Sequence, residues 1–147
     1  MILRIDILII MAIDYGDVRT GVAVCDKFEM LASPVGLITQ RNPELVIEEI
    51  KKYASEYKVE QFVVGLPKNM DSTVGERAEK CIEFAENLSK ATGIEAVMRD
   101  ERLSTVSAHN VLNTTNTRGK KRKNVVDQVA AVMILQDYID YRKINKS

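Results

Sequence analysis

The sequence predicts an α/β protein in which a mixed sheet carries helices on its faces, and three features point to it. The first is LIIMAIDYG, Leu8 to Gly16, an apolar run that stops at a carboxylate and a turn. Leu8 to Ile13 is too short to cross a bilayer and reads as a strand buried on both faces, with Gly16 supplying the turn. The second is a pair of β-type runs, Thr20 to Cys25 and Met30 to Thr39, joined by short connections, which predicts an antiparallel meander. The third is a change of period after Asn42, where amphipathic helices begin to alternate with short apolar strands.

Asn42-Pro43 supplies an N-cap and a first helical position, and Val46, Ile47, Ile50, Tyr53, Ala54 and Tyr57 mark one face of a helix ending near Lys58. Gln61 to Val64 is the next strand, closed by Gly65-Leu66-Pro67 and a polar loop, Lys68 to Gly75. Ala78, Cys81, Ile82, Ala85 and Leu88 give a second helix with Gly93 as its left-handed stop. Ile94 to Arg99 forms a fifth strand, followed by the acids Asp100 and Glu101. Ser104 or Thr105 caps a third helix through Leu112, Asn113 to Lys123 is polar, and a final apolar helix runs from Asn124 to about Tyr141.

A chain of 147 residues fits one domain, here residues 1–147 with a core over about 8–141. Its formal net charge of +0 gives no global attraction to nucleic acid or membrane, so any polyanion is held by a local patch. Cys25 and Cys81 lack metal-ligand spacing and His109 is the single histidine, which argues against zinc and for reduced core cysteines. Arg4 and Asp6 interrupt the apolar start and no small-residue cleavage site follows, so a cytoplasmic protein is expected.

A lone carboxylate at the mouth of a core strand costs several kcal/mol unless it is paired, hydrogen-bonded or metal-bound, so Asp14 needs compensation. Asp127 shares a helical face with Ala130, Ala131, Ile134, Leu135 and Tyr138, the face that must pack on the sheet. Parallel strands present their C-terminal ends on one edge, so Asp14, Glu101 and Asp127 can converge there. Such a trio requires a counter-cation, and all-oxygen donors suit Mg²⁺ or Mn²⁺. Two hard cations about 3.5–4 Å apart support phosphodiester hydrolysis without a His or Cys nucleophile. Each acid also has a structural reading. Asp14 before Gly16 is good turn chemistry, Asp127 is at N3 if Asn124 caps the helix, and Asp100-Glu101 can pair with Arg99 and Arg102. Only a shared site explains their joint placement at the ends of core elements.

RGKKRK, Arg118 to Lys123, is the one dense basic cluster. Lying directly before the helix that carries Asp127, it would bring phosphates to the acids; the alternative is a solvated loop. No aromatics are interleaved with it, so stacking on single-stranded bases is unsupported. The loop Gly65 to Gly75 offers backbone N–H groups for phosphate but lacks the spacing of a P-loop.

Four segments, DYGDVRTGVAVCD, VVGLPKNMDST, DERLST and KRKNVVDQVAAVMILQDYI, resemble the YqgF family, also called RuvX or Holliday-junction-resolvase-like. Its bacterial members are described as pre-16S ribosomal RNA nucleases. The resemblance implies the ribonuclease H-like fold, a five-stranded mixed sheet with helices on both sides. It implies catalytic, metal-holding acids at Asp14, Glu101 and Asp127, with Asp100 as a substitute or supporting neighbour, and places Arg19, Arg102, Asn69 and Asp71 around the same edge. Nucleic-acid contacts are therefore expected from Arg19, Asn69, Arg102, Arg118, Lys120, Lys121, Arg122 and Lys123, and the chain is a monomer or homodimer. Cys25 stands where members often carry Ser, and Ser72 where they often carry Gly.

The favoured function is a Mg²⁺- or Mn²⁺-dependent endonuclease processing the 5′ end of pre-16S ribosomal RNA. The alternatives are a resolvase acting on branched DNA and a non-catalytic nucleic-acid-binding factor in ribosome maturation. DYGDVRTG also suits the phosphate-gripping turn of an actin-like sugar kinase, but this chain is too short for two lobes enclosing ATP.

Overall fold

The computed structural model describes residues 7–67, 75–100 and 119–146, with side chains in the last stretch from 129 to 144. The sheet comprises β1 (Ile10–Asp14), β2 (Arg19–Cys25), β3 (Ala32–Thr39), β4 (Gln61–Leu66) and β5 (Ala96–Asp100). The helices are α1 (Pro43–Tyr57), α2 (Glu76–Thr92) and α3 (Gly119–Lys146). The expected helix after Ser104 lies outside the described residues.

Strand order is β3-β2-β1-β4-β5, which makes β1 the central strand. It pairs antiparallel with β2, from Met11↔Val24 to Asp14↔Gly21, and parallel with β4, from Ile10↔Gln61 to Ile13↔Val64. The meander and the parallel half therefore meet on one strand. Ile10, Met11, Ala12 and Ile13 are all fully buried, as expected of a strand covered on both faces.

The two faces are covered by different helices. Met11, Ile13, Val22 and Val64 pack with Val46 and Ile50 of α1 and Phe84 and Leu88 of α2. Ile10, Ala12, Ala23 and Val63 pack with Ala131, Ile134, Leu135 and Ile139 of α3. The helix termini follow local chemistry. Asn42 Oδ1 accepts the Glu44 N–H at 2.9 Å, while Lys58 (φ 56°) and Gly93 (φ 73°) end α1 and α2 in left-handed geometry. Cys25 and Cys81 are free and buried, matching the reading of core thiols, and burial pushes the Cys25 thiol pKa up.

The structure corrects two helix boundaries. α3 begins at Gly119, not Asn124, and runs to Lys146, beyond Tyr141. Lys120 to Lys123 are therefore helical and do not form a loop, because Lys and Arg are strong helix formers and no breaker separates them from the apolar stretch. Asn124 is consequently no N-cap, and the N3 explanation of Asp127 falls away. Strand β4 also extends two residues past Val64, to Leu66.

A buried ion pair fastens the far end of α3. Glu29, in the β2–β3 turn, is 2% exposed and adopts φ 56°. Its carboxylate accepts from Arg142 Nε and Nη2, each at 3.1 Å, and from the Leu8 N–H at 2.9 Å. Burial alone would lower the Arg142 pKa, but the hydrogen bond and charge of Glu29 outweigh it and push the pKa up. Among the described residues, no helix is long and apolar enough to cross a membrane.

Candidate active site at the end of the central strand

Side chains alternate across a strand, so the packing of β1 fixes where Asp14 belongs. Ile10 and Ala12 face α3, whereas Met11 and Ile13 face α1 and α2; Asp14 therefore falls in phase with the α3 side. The same period places Arg19 on the α3 side with Ala23 and Cys25. Since Asp14 is opposite Gly21, Arg19 begins β2 at the same sheet edge. One acid and one base predicted for the site are thus brought to one face and one edge.

Asp100 falls out of phase with Asp14 by strand alternation. Ala96 and Met98 pack on the α1–α2 side, Val97 packs on the α3 side, and Arg99 bonds Asp137 of α3 at 2.8 Å. Alternation consequently assigns Asp100 to the α1–α2 side. Arg99 pairs with Asp137, so the structural reading in which Arg99 exists to neutralise the acids beside it loses one partner.

Glu101, Arg102, Asn69, Asp71 and Arg118 lie outside the described residues. Asp127 and Lys120 to Lys123 fall within α3 as backbone only. Among the described residues, no three His, Cys, Asp or Glu side chains form a metal-sized group. The acid described at this edge is a carboxylate, a hard oxygen donor that fits Mg²⁺ or Mn²⁺ and not a soft metal.

The turn after Asp14 is tightly built. A Cβ added at Gly16 would lie 2.1 Å from the Arg19 carbonyl oxygen, so the turn closes on a space that only glycine leaves open. Gly16→Ala is expected to cost about 1–3 kcal/mol through this clash, read as a lowered thermal midpoint. An unchanged midpoint would show that the turn relaxes freely.

Arg77, which sequence reasoning missed, fixes this turn from α2. Its Nη1 bonds Asp17 Oδ1 at 2.8 Å, its Nη2 donates to the Tyr15 carbonyl, and its guanidinium carbon lies 5.5 Å from the Tyr15 ring centroid. The Tyr15 ring stacks on Phe84 with centroids 4.0 Å apart and planes 12° from parallel. Burial pushes the Tyr15 phenol pKa up, while the Arg77 charge pulls it the other way. One signal was available: Arg77 is the second residue of α2, and a cation in the first turn opposes the helix macrodipole, so it needs another reason to be there.

The sheet order, the helices on both faces and the acid ending the central strand define the ribonuclease H-like class. RuvC of T. thermophilus in complex with a Holliday junction substrate shares this fold, with TM-score 0.61 over 95% of this chain and 98% of that one at 11% identity. The fowlpox virus Holliday junction resolvase matches with TM-score 0.55, covering 91% of this chain and 99% of that one at 11% identity. Residues 8–141 match the family model described as RuvX, Holliday junction resolvase, and the chain belongs to that family. Its relatives include proteins named "Putative pre-16S rRNA nuclease". The one from Halothermothrix orenii is 47% identical, over 90% of this chain and 95% of the relative. The one from Clostridioides difficile is 45% identical, over 92% and 96%.

Proposed function

We propose that this chain is a Mg²⁺- or Mn²⁺-dependent endonuclease that hydrolyses phosphodiester bonds and processes the 5′ end of pre-16S ribosomal RNA in the cytoplasm. The observation that supports this most is the position of Asp14, at the end of the fully buried central strand and in phase with α3, the helix that contains Asp127. Asp14, Glu101 and Asp127 would hold the ions. Glu101 is preferred to Asp100 because Asp100 belongs to the opposite side of the sheet by alternation. The chemistry that Mg²⁺ or Mn²⁺ held by these acids would supply is charge stabilisation at the phosphate and activation of water.

The chain's own residues do the rest. Arg19, on the α3 side at the same edge, would orient a phosphate beside the acids. The basic turn of α3, Lys120 to Lys123, would hold the flanking backbone, and Arg118, Arg102 and Asn69 are the further phosphate contacts of this reading. The relatives' name favours the ribosomal precursor as substrate, whereas the family description favours a branched DNA junction. The shared chemistry is cleavage of a structured nucleic acid, and the 2′-OH distinguishes the substrates.

Cleavage of matched substrates with Mg²⁺ or Mn²⁺ tests this reading. The expected result is endonucleolytic cutting of a pre-16S 5′ fragment, with junction DNA cut far more slowly. Cutting of junction DNA alone would overturn the ribosomal assignment, and binding of RNA without cutting would favour a non-catalytic maturation factor.

A further inference from the structure

Arg77 makes contacts that stabilise the fold little but constrain one peptide closely. Asp17, its carboxylate partner, is 65% exposed, and Arg77 itself is 37% exposed. Exposed ion pairs of this kind add little to stability, and the cation stands in the first turn of a helix, where the macrodipole disfavours it. Yet the same guanidinium holds three parts of one turn: the Asp17 carboxylate, the Tyr15 carbonyl and the Tyr15 ring. The Tyr15 ring is clamped further on Phe84. Tyr15, the residue that follows Asp14, is therefore fixed from the α2 side, while Asp14 falls in phase with the α3 side of the sheet.

Resting on the reading of Asp14 as a metal-holding acid, we propose that Arg77 is a positioning residue for Asp14. It acts through Tyr15 and Asp17 and contacts neither ion nor substrate. With the Tyr15 carbonyl and ring held, the Tyr15–Gly16 peptide plane and the side-chain side of Tyr15 are both anchored, and so the Cα next to Asp14 is held in place at the end of β1. The planar fork is required, because Lys offers a single ammonium that cannot grip the carboxylate and the carbonyl in one fixed plane. Supporting groups of this kind typically change metal affinity or activity by about 10–100-fold when removed.

The test compares wild type, Arg77→Ala, Arg77→Lys and Asp14→Asn in three measurements: Mn²⁺ affinity by electron paramagnetic resonance, thermal midpoint, and kcat and KM on a structured RNA. Arg77→Ala is expected to weaken Mn²⁺ binding and lower kcat by about 10–100-fold, leaving KM near wild type and the midpoint within a few degrees. Arg77→Lys is expected to recover only part of both losses. Wild-type Mn²⁺ affinity in Arg77→Ala, beside a clear loss in Asp14→Asn, would overturn the positioning role and leave the Asp14 reading standing. Wild-type affinity in Asp14→Asn would overturn both. A raised KM with unchanged kcat would overturn the proposal by making Arg77 a direct contact to nucleic acid, and losses that vanish well below the midpoint would reduce it to a fold tether.

Discussion

Asp14→Asn is expected to lower RNA cleavage by about a thousandfold, the equivalent of roughly 4 kcal/mol of lost charge stabilisation. The substitution keeps the size of the side chain and much of its hydrogen-bonding capacity and removes only the charge. A residue serving merely as turn chemistry before Gly16 would tolerate it. The thermal midpoint should stay the same or rise slightly, because an acid placed for function at the end of a core strand is retained at a cost to stability. Steady-state cleavage and a melting curve on the same preparation separate the two readings. Loss of stability with cleavage retained would return Asp14 to a structural role.

The largest stability effect is expected far from that edge, at Arg142→Ala. Arg142 is 17% exposed at its side chain and Glu29 2%, so the pair is withdrawn from water. Removing the guanidinium leaves a buried carboxylate that has lost two charge-assisted hydrogen bonds. Breaking such a pair from one side costs about 3–5 kcal/mol, which lowers the midpoint of a domain this size by roughly 6–20 °C. Glu29 also holds the Leu8 N–H, so the entry to β1 should loosen with it. The double substitution Glu29→Gln with Arg142→Met should recover much of the loss, since no buried charge then lacks its partner. A drop of less than 1 kcal/mol in Arg142→Ala would mean that water reaches Glu29.

These two residues show what was legible in the sequence and what was not. The central strand announced itself because burial on both faces demands an unbroken apolar run, and Asp14 was conspicuous as the charge that ends it. Helix faces could be read from their period, as could the stop at Gly93, confirmed by its left-handed conformation. The start of α3 could not, since a run of Lys and Arg has the same polarity in a loop and on a helix, and only the continuation into Val125 and beyond decides between them. The phase of β5 was equally hidden, because a short strand with mixed polarity does not reveal it until Val97 and Met98 are seen on opposite faces. Nothing in the local sequence marks Glu29, a polar residue between two β-type runs. Its partner lies 113 residues away, and no local pattern encodes that meeting. Arg77 meets residues 60 and 62 positions distant, so it too was invisible except for its unfavourable place in the first turn of α2.

The shared site is tested most directly by calorimetric titration of Mn²⁺ into wild type, Asp14→Asn, Glu101→Gln and Asp127→Asn, with folding checked by circular dichroism. A site built from these three acids predicts a saturable binding event in the wild type that is weakened strongly in each of the three variants. Equal Mn²⁺ affinity in all four proteins would contradict it.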